Sequence, residues 1–178
     1  MNTEYLKSLV RHLHDWPIKG IIFPDVTTLL KDIKGFNQSI NDFFARYQNQ
    51  GIEIVVGIDA RGFIIGGALA FLLNTGFVPA RKKGKLPAEK ISITYDLEYG
   101  TDTLEMHKDA ILPGQKVLLV DDVLATGGSA LTAAKLVEDL GGQIMEIAFI
   151  INLPKVGGKQ KIIKAGYNCY TQIDFIYN

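Results

Sequence analysis

The chain has 178 residues, enough for one domain of ordinary size that buries most of its apolar surface. With 47% hydrophobic and 21% charged residues the composition is globular rather than disordered, and nineteen basic residues balance nineteen acidic ones. That balance argues against a dedicated nucleic-acid binder but leaves room for a local site for a small anion. The single cysteine, Cys169, allows no disulfide within the chain and reads as structural. The charged N-terminal segment (Glu4, Lys7, Arg11, Asp15) does not read as a signal peptide, and the longest apolar run, Gly62 to Leu73, is too short to span a bilayer. The expected location is the cytoplasm, with no membrane partner.

In chain order, Leu6, Leu9, Val10 and Leu13 stand at i, i+3, i+4 and i+7 and predict an amphipathic helix ended by Pro17 and Gly20. Trp16 is expected to pack the end of that helix. His12 and His14, two apart on it, share no face and form no metal pair. Ile40, Phe43, Phe44 and Tyr47 predict a second helix stopped by Gly51. A buried strand over Ile52 to Ile58, a helix over Gly62 to Asn74 and a strand over Phe77 to Ala80 follow. Lys82 to His107 carries Gly84, Pro87, Gly100 and many charges around two short alternating runs, and reads as a long excursion, partly a hairpin, projecting from the core. Then come an apolar strand over Lys116 to Val120, a polar turn, a helix over Ser129 to Leu140, a strand over Ile144 to Ile151 and a last strand over Cys169 to Ile176. Apolar strands alternating with helices imply an α/β fold, a parallel sheet covered on both faces. Ligands of such sheets bind at the carboxyl ends of strands, so the turns Asp59–Gly62 and Asp121–Gly128 are expected side by side.

The strongest chemical feature is Val120-Asp-Asp-Val-Leu-Ala-Thr-Gly-Gly-Ser129. A strand leads into two adjacent carboxylates, Asp121 and Asp122, and then into Ala125, Thr126, Gly127, Gly128 and Ser129 at a helix start. Backbone N–H groups there make an anion site, glycine lets the backbone approach a phosphate, and the hydroxyls add donors. The pattern is neither a Walker A loop nor a dinucleotide fingerprint. Two carboxylates beside a phosphate site repel the phosphate unless they bind something else, such as sugar hydroxyls or Mg²⁺. A turn that does both is a ribose 5-phosphate cradle.

These residues resemble the PRPP motif of the type I phosphoribosyltransferases, in the form carried by the adenine phosphoribosyltransferase family. The resemblance runs over roughly 16–153. Pro17-Ile-Lys-Gly-Ile-Ile-Phe-Pro-Asp-Val-Thr27 is similar to the family's adenine-side segment, Gly57-Ile-Asp-Ala-Arg-Gly-Phe63 to its pyrophosphate loop, Arg81-Lys-Lys-Gly-Lys-Leu-Pro87 to its basic segment, and Tyr95-Asp-Leu-Glu-Tyr-Gly100 to its mobile catalytic loop. The resemblance implies a central, mostly parallel sheet flanked by helices, a smaller hood from about 1–30 and 152–178, and a flexible loop over about 82–107. It implies pyrophosphate contacts from Asp59, Ala60, Arg61, Arg81, Lys82 and Lys85, with the Asp59–Ala60 peptide strained or cis so that its N–H faces the ligand. Adenine contacts fall on Ile22, Phe23, Pro24 and Leu153. Pro24 stands where many members carry a basic residue, and proline offers neither a side-chain donor nor an N–H. Glu98 matches the catalytic glutamate, with Tyr99 beside it on the lid.

The reaction so implied is transfer of the 5-phosphoribosyl group from PRPP to adenine, giving AMP and pyrophosphate, with Mg²⁺ on PRPP and a homodimer as the assembly. Arg61 and its neighbouring cations stabilise the leaving diphosphate. Two alternatives remain: transfer to another purine base, and a PRPP-binding regulator without catalysis. Hypoxanthine-type enzymes usually carry a carboxylate where this chain has Ala125. Regulators of that kind add a DNA-binding domain and a basic face.

Overall fold

The computed structural model describes residues 3–16, 18–96 and 100–176. Its elements, in chain order, are α1 (Thr3–Ser8), β1 (Arg11–His14), β2 (Ile22–Asp25), α2 (Thr27–Lys31), α3 (Ile33–Tyr47), β3 (Ile54–Ile58), α4 (Gly62–Leu73), β4 (Gly76–Lys82), β5 (Lys90–Asp96), β6 (Thr101–His107), β7 (Lys116–Leu124), α5 (Gly128–Asp139), β8 (Gln143–Asn152), α6 (Gly158–Lys164) and β9 (Cys169–Asp174). One sheet has the order β5-β6-β4-β3-β7-β8-β9, and β1 and β2 form a separate antiparallel pair. β4, β3, β7, β8 and β9 run parallel, whereas β6 and β5 are antiparallel additions at one edge.

The central strands are apolar because both faces are covered. Alternation still sorts their side chains. Val55, Leu118 and Val120 face a core built with Phe43, Ile65 and Leu69 of α3 and α4, and Val56, Val117 and Leu119 face Ala133, Leu136 and Val137 of α5. α3 begins where the Asp32 carboxylate accepts the Gly35 N–H at 2.7 Å. No helix among the described residues is long and apolar enough to cross a membrane. Cys169 is half-buried and free, its thiol pushed up to about 11 by burial.

Three expectations need correction. The first helix stops at Ser8 rather than running through Leu13, because Thr28 takes its next backbone groups. The Thr28 hydroxyl donates to Leu9 O at 2.6 Å and accepts the Arg11 N–H at 3.1 Å. Leu6 and Val10 do face the core, but Leu13 lies on β1 opposite Phe23. His12 and His14 are therefore on a strand, where residues two apart do share a face. His12 packs edge-on against Phe175 at 4.5 Å, and no group of three or more potential metal-binding side chains occurs among the described residues. Trp16 meets no helix end; it is half-exposed and packs edge-on against Phe23. Third, the expected hairpin within 82–107 is present, but its base is part of the sheet rather than an excursion from it. β6 pairs with β4 through Arg81↔Glu105 and Lys82↔Leu104, and β5 completes the edge. The pairing of β5 and β6 continues to Asp96↔Thr101, three residues past Lys82↔Leu104, so the hairpin extends about 10 Å beyond the end of β4.

Candidate active site

The carboxyl ends of β3, β4 and β7 are neighbours in the sheet, and the polar segments they carry meet in a cleft of ≈ 370 Å³ lined by Asp59, Ala60, Arg61, Lys82, Lys85, Asp121 and Asp122. The expected adjacency of the two turns is observed. Gly62 lies so close to β7 that a Cβ there would stand 2.8 Å from Val120 O and 3.0 Å from an Asp121 carboxylate oxygen. The Asp59–Ala60 peptide is cis.

Charges in the cleft are organised in pairs. Arg61 Nε donates to Asp122 Oδ2; the carboxylate is 6% exposed and the guanidinium 44%. Burial works against the Arg61 charge, yet the Asp122 carboxylate, with the fields of Asp121 and Asp25, raises its pKa. Asp59, 4% exposed, receives Arg81 Nε at 3.3 Å, the Lys82 N–H at 3.3 Å and Lys85 Nζ at 3.6 Å. Burial pushes the Asp59 carboxyl up, but the Lys82 N–H and the Arg81 and Lys85 charges outweigh it and hold it below the usual range. Asp59 thus gathers three cationic residues around itself. Lys82 Nζ reaches Asp102 at 3.3 Å. Asp121 is opposite in character: burial and the neighbouring Asp122 raise its carboxyl well above the usual range.

β7 does not end at the two carboxylates, as the sequence suggests, but runs on to Leu124, since Val123 and Leu124 still pair with Ile151 and Asn152 of β8. The turn is therefore short: Ala125, Thr126 and Gly127 separate β7 from α5. Gly127 has φ +76°, a conformation that glycine adopts without a Cβ clash. No side chain caps α5, so Thr126 and Ser129 are not spent as caps. Thr126 is exposed and Ser129 partly so. The turn is backed by the start of α6, where a Cβ on Gly158 would fall 2.2 Å from Ala125 O.

Ile22, Phe23 and Pro24 lie on β2, with Pro24 buried opposite His12. Leu153, 9% exposed, is tied to the end of β7 by its N–H to Leu124 O at 2.9 Å. Glu98 and Tyr99 lie outside the described residues. Sequence reading missed Asp102 and Glu105, which touch the basic segment, Asp25, whose field reaches Arg61, and Gly158. Only Gly157-Gly158 carries a local signal, that of a turn.

A family model described as a phosphoribosyl transferase domain matches residues 26–177, so the class of this chain is that of the phosphoribosyltransferases. An adenine phosphoribosyltransferase of Pelodictyon phaeoclathratiforme is 55% identical over 172 residues, covering 96% of this chain and 97% of the relative. The crystal structure of adenine phosphoribosyltransferase from Thermoanaerobacter pseudethanolicus superposes with a TM-score of 0.93 at 47% identity, over 98% of this chain and 100% of that one. The Saccharomyces cerevisiae enzyme, complexed with an imino-altritol bisphosphate and adenine, gives a TM-score of 0.90 at 36% identity, over 96% and 98%. The chain belongs to the adenine phosphoribosyltransferase family.

Proposed function

We propose the following division of labour for the reaction that family membership assigns to this chain, transfer of the 5-phosphoribosyl group from PRPP to adenine with formation of AMP and pyrophosphate. The backbone of Ala125–Ser129, at the uncapped start of α5, holds the 5-phosphate with the Thr126 and Ser129 hydroxyls. Asp121 and Asp122 accept the ribose hydroxyls. Ala60, Arg61, Arg81, Lys82 and Lys85 receive the diphosphate, with Asp59 as the group around which the cations stand. Ile22, Phe23, Pro24 and Leu153 bound the adenine pocket, and the elements at 1–30 and 152–178 act as its hood. In support, Val10, Val26, Leu153 and Phe175 share one core cluster.

Adenine N9 attacks C1 of PRPP as the C1–O bond breaks, and the bond's electron pair leaves with pyrophosphate. Positive charge grows on the sugar and is opposed by the carboxylates; negative charge grows on the leaving group and is met by the cations. Glu98 takes the purine proton, and Tyr99 closes beside it. In support, the paired strands β5 and β6 run on past the end of β4 as far as Asp96 and Thr101, which flank this segment in sequence. Asp121 and Asp122 are the carboxylates that would reach a Mg²⁺ brought by PRPP, and the chemistry it would supply is neutralisation of charge on the diphosphate.

The reading extends to a cytoplasmic homodimer. α4 supports the assembly, since it leaves Ile64, Phe71 and Leu72 49%, 83% and 38% exposed, an apolar face of the kind partners cover. The observation that carries the functional reading is the meeting of three carboxylates, four basic side chains and an uncapped helix start at adjoining strand ends. The test is an assay with PRPP, Mg²⁺ and each purine base in turn. Adenine offers a donor at position 6 where hypoxanthine offers an acceptor, a difference worth about 10⁴ in kcat/KM at a site built of buried polar groups. Comparable kcat/KM for hypoxanthine would remove the adenine assignment.

A further inference from the structure

Glu105 has no place in the division of labour above, yet it is one of the most deeply buried charged side chains in the molecule, 4% exposed between Leu104 and Met106 at 1% and 0%. Alternation along β6 sends Leu104 and Met106 to the core and Glu105 to the opposite face. That face is covered by the chain that leaves β4. Burying a carboxylate is costly without partners, and packing alone would be served as well by threonine or valine.

Its partners show what it does. One oxygen accepts the Gly84 N–H at 3.0 Å, and the other accepts the Ser92 hydroxyl at 3.4 Å. Gly84, at φ +78°, is the bend of the basic segment. Lys85 N–H bonds to Lys82 O at 3.3 Å across the bend, and Lys83 N–H bonds to Thr103 O at 3.1 Å beside it. The charged acceptor thus grips the turn, while Arg81, its cross-strand partner on the same face of the sheet, and Lys85 meet at Asp59, 3.3 and 3.6 Å from it. Hydrogen bonds to an ionised acceptor are about twice as strong as neutral ones.

We propose that Glu105 is a positioning residue for pyrophosphate: through the Gly84 N–H it holds the 82–85 turn so that Arg81, Lys82 and Lys85 converge on one anion. The inference rests on the reading of these cations as the diphosphate site. Glu105 contacts no substrate itself.

The experiment measures pyrophosphate binding with Mg²⁺ by calorimetry, KM for PRPP and for adenine, and the melting temperature of the full chain. Glu105→Leu keeps an apolar filling but leaves Gly84 N–H without its acceptor. It is expected to weaken pyrophosphate and raise the PRPP KM about 10-fold, a fraction of the effect of a 1 Å misplacement, while the adenine KM stays within about twofold. Glu105→Gln recovers part of both, since its carbonyl can face Gly84 and its amide Ser92, but as a neutral acceptor with the weaker bond. Glu105→Asp, which keeps the charge but withdraws it by one methylene, gives a partial loss and carries the test if the leucine variant does not fold. A melting temperature that falls with unchanged pyrophosphate affinity overturns the proposal, as does a parallel rise of both KM values. Arg81→Ala and Lys85→Ala test the underlying reading. If they lose pyrophosphate while the Glu105 variants bind normally, the reading stands and the inference fails; if they retain pyrophosphate, both fall.

Discussion

Gly158→Ala tests the phosphate turn from behind, without changing any residue assigned to ligand. A Cβ there would lie 2.2 Å from Ala125 O and 3.0 Å from Gly127 N, and in return a Cβ on Gly127 would meet Gly158 O at 3.2 Å. Two backbones meet here, with no flexible side chain between them to yield. Restoring ordinary contact requires the turn or α6 to retreat by about 1 Å, at a cost of about 1–3 kcal/mol in stability. A displacement of that size in a positioning segment costs about 10² in rate, which should appear in kcat/KM for PRPP. Gly157→Ala is the comparison. It has φ +85° but no heavy atom near its added Cβ, so it carries backbone strain of about 1–2 kcal/mol while leaving the turn in place. Steady-state kinetics against PRPP and thermal melting of both variants separate the two effects. If both melt lower and both keep a PRPP kcat/KM within about threefold of wild type, the Ala125–Ser129 backbone does not cradle phosphate.

Replacing both Asp121 and Asp122 by asparagine should raise the PRPP KM and lower kcat with the circular dichroism unchanged; unaltered kinetics would take these residues out of the ribose site. Asp121→Asn alone should raise the melting temperature above neutral pH. Burial and Asp122 lift the folded Asp121 pKa above its unfolded value, so its stabilising share is present below the unfolded pKa and is lost as pH rises through the folded one. The advantage of the asparagine variant should close as pH falls toward about 3.9, and a gap independent of pH would refute the argument. Glu98→Gln should lower kcat by about 10² with PRPP affinity little changed. The matching control is Glu89→Gln, an exposed residue paired with Lys108 at 3.0 Å; equal kcat in the two variants would exclude the general-base role.

The sheet was legible because β3 and the Val117–Val120 half of β7 are apolar runs, and β7 could be placed beside β3 from the rule that ligand turns gather at strand ends. The site was legible where chemistry is local in sequence, as in Asp121 to Ser129. It was illegible where a distant residue decides. Leu6, Leu9, Val10 and Leu13 fit a helix by spacing, and only Thr28, from α2, diverts the chain after Val10. The position of Glu105 in an alternating strand reads as solvent-facing; its burial comes from a turn twenty residues earlier. Arg61 and Asp122 were each assigned to ligand, and nothing in either motif says that they hold each other when ligand is absent.

That last pair has a consequence for what the cleft selects. Arg61 is assigned to the diphosphate end of PRPP and Asp122 to its ribose, so only a molecule with both ends gives each a new partner. On that assignment pyrophosphate alone would leave the 6%-exposed Asp122 carboxylate without its buried partner, whereas ribose 5-phosphate alone would leave a guanidinium that is 44% exposed and can turn to water. The intact substrate escapes that penalty, which makes the pair a check on completeness rather than on shape. Once the C1–O bond is broken the two halves are separate molecules. On the proposed assignment the departure of pyrophosphate would let Arg61 turn back to Asp122, so the bond that opposes pyrophosphate alone on the way in would favour its release on the way out.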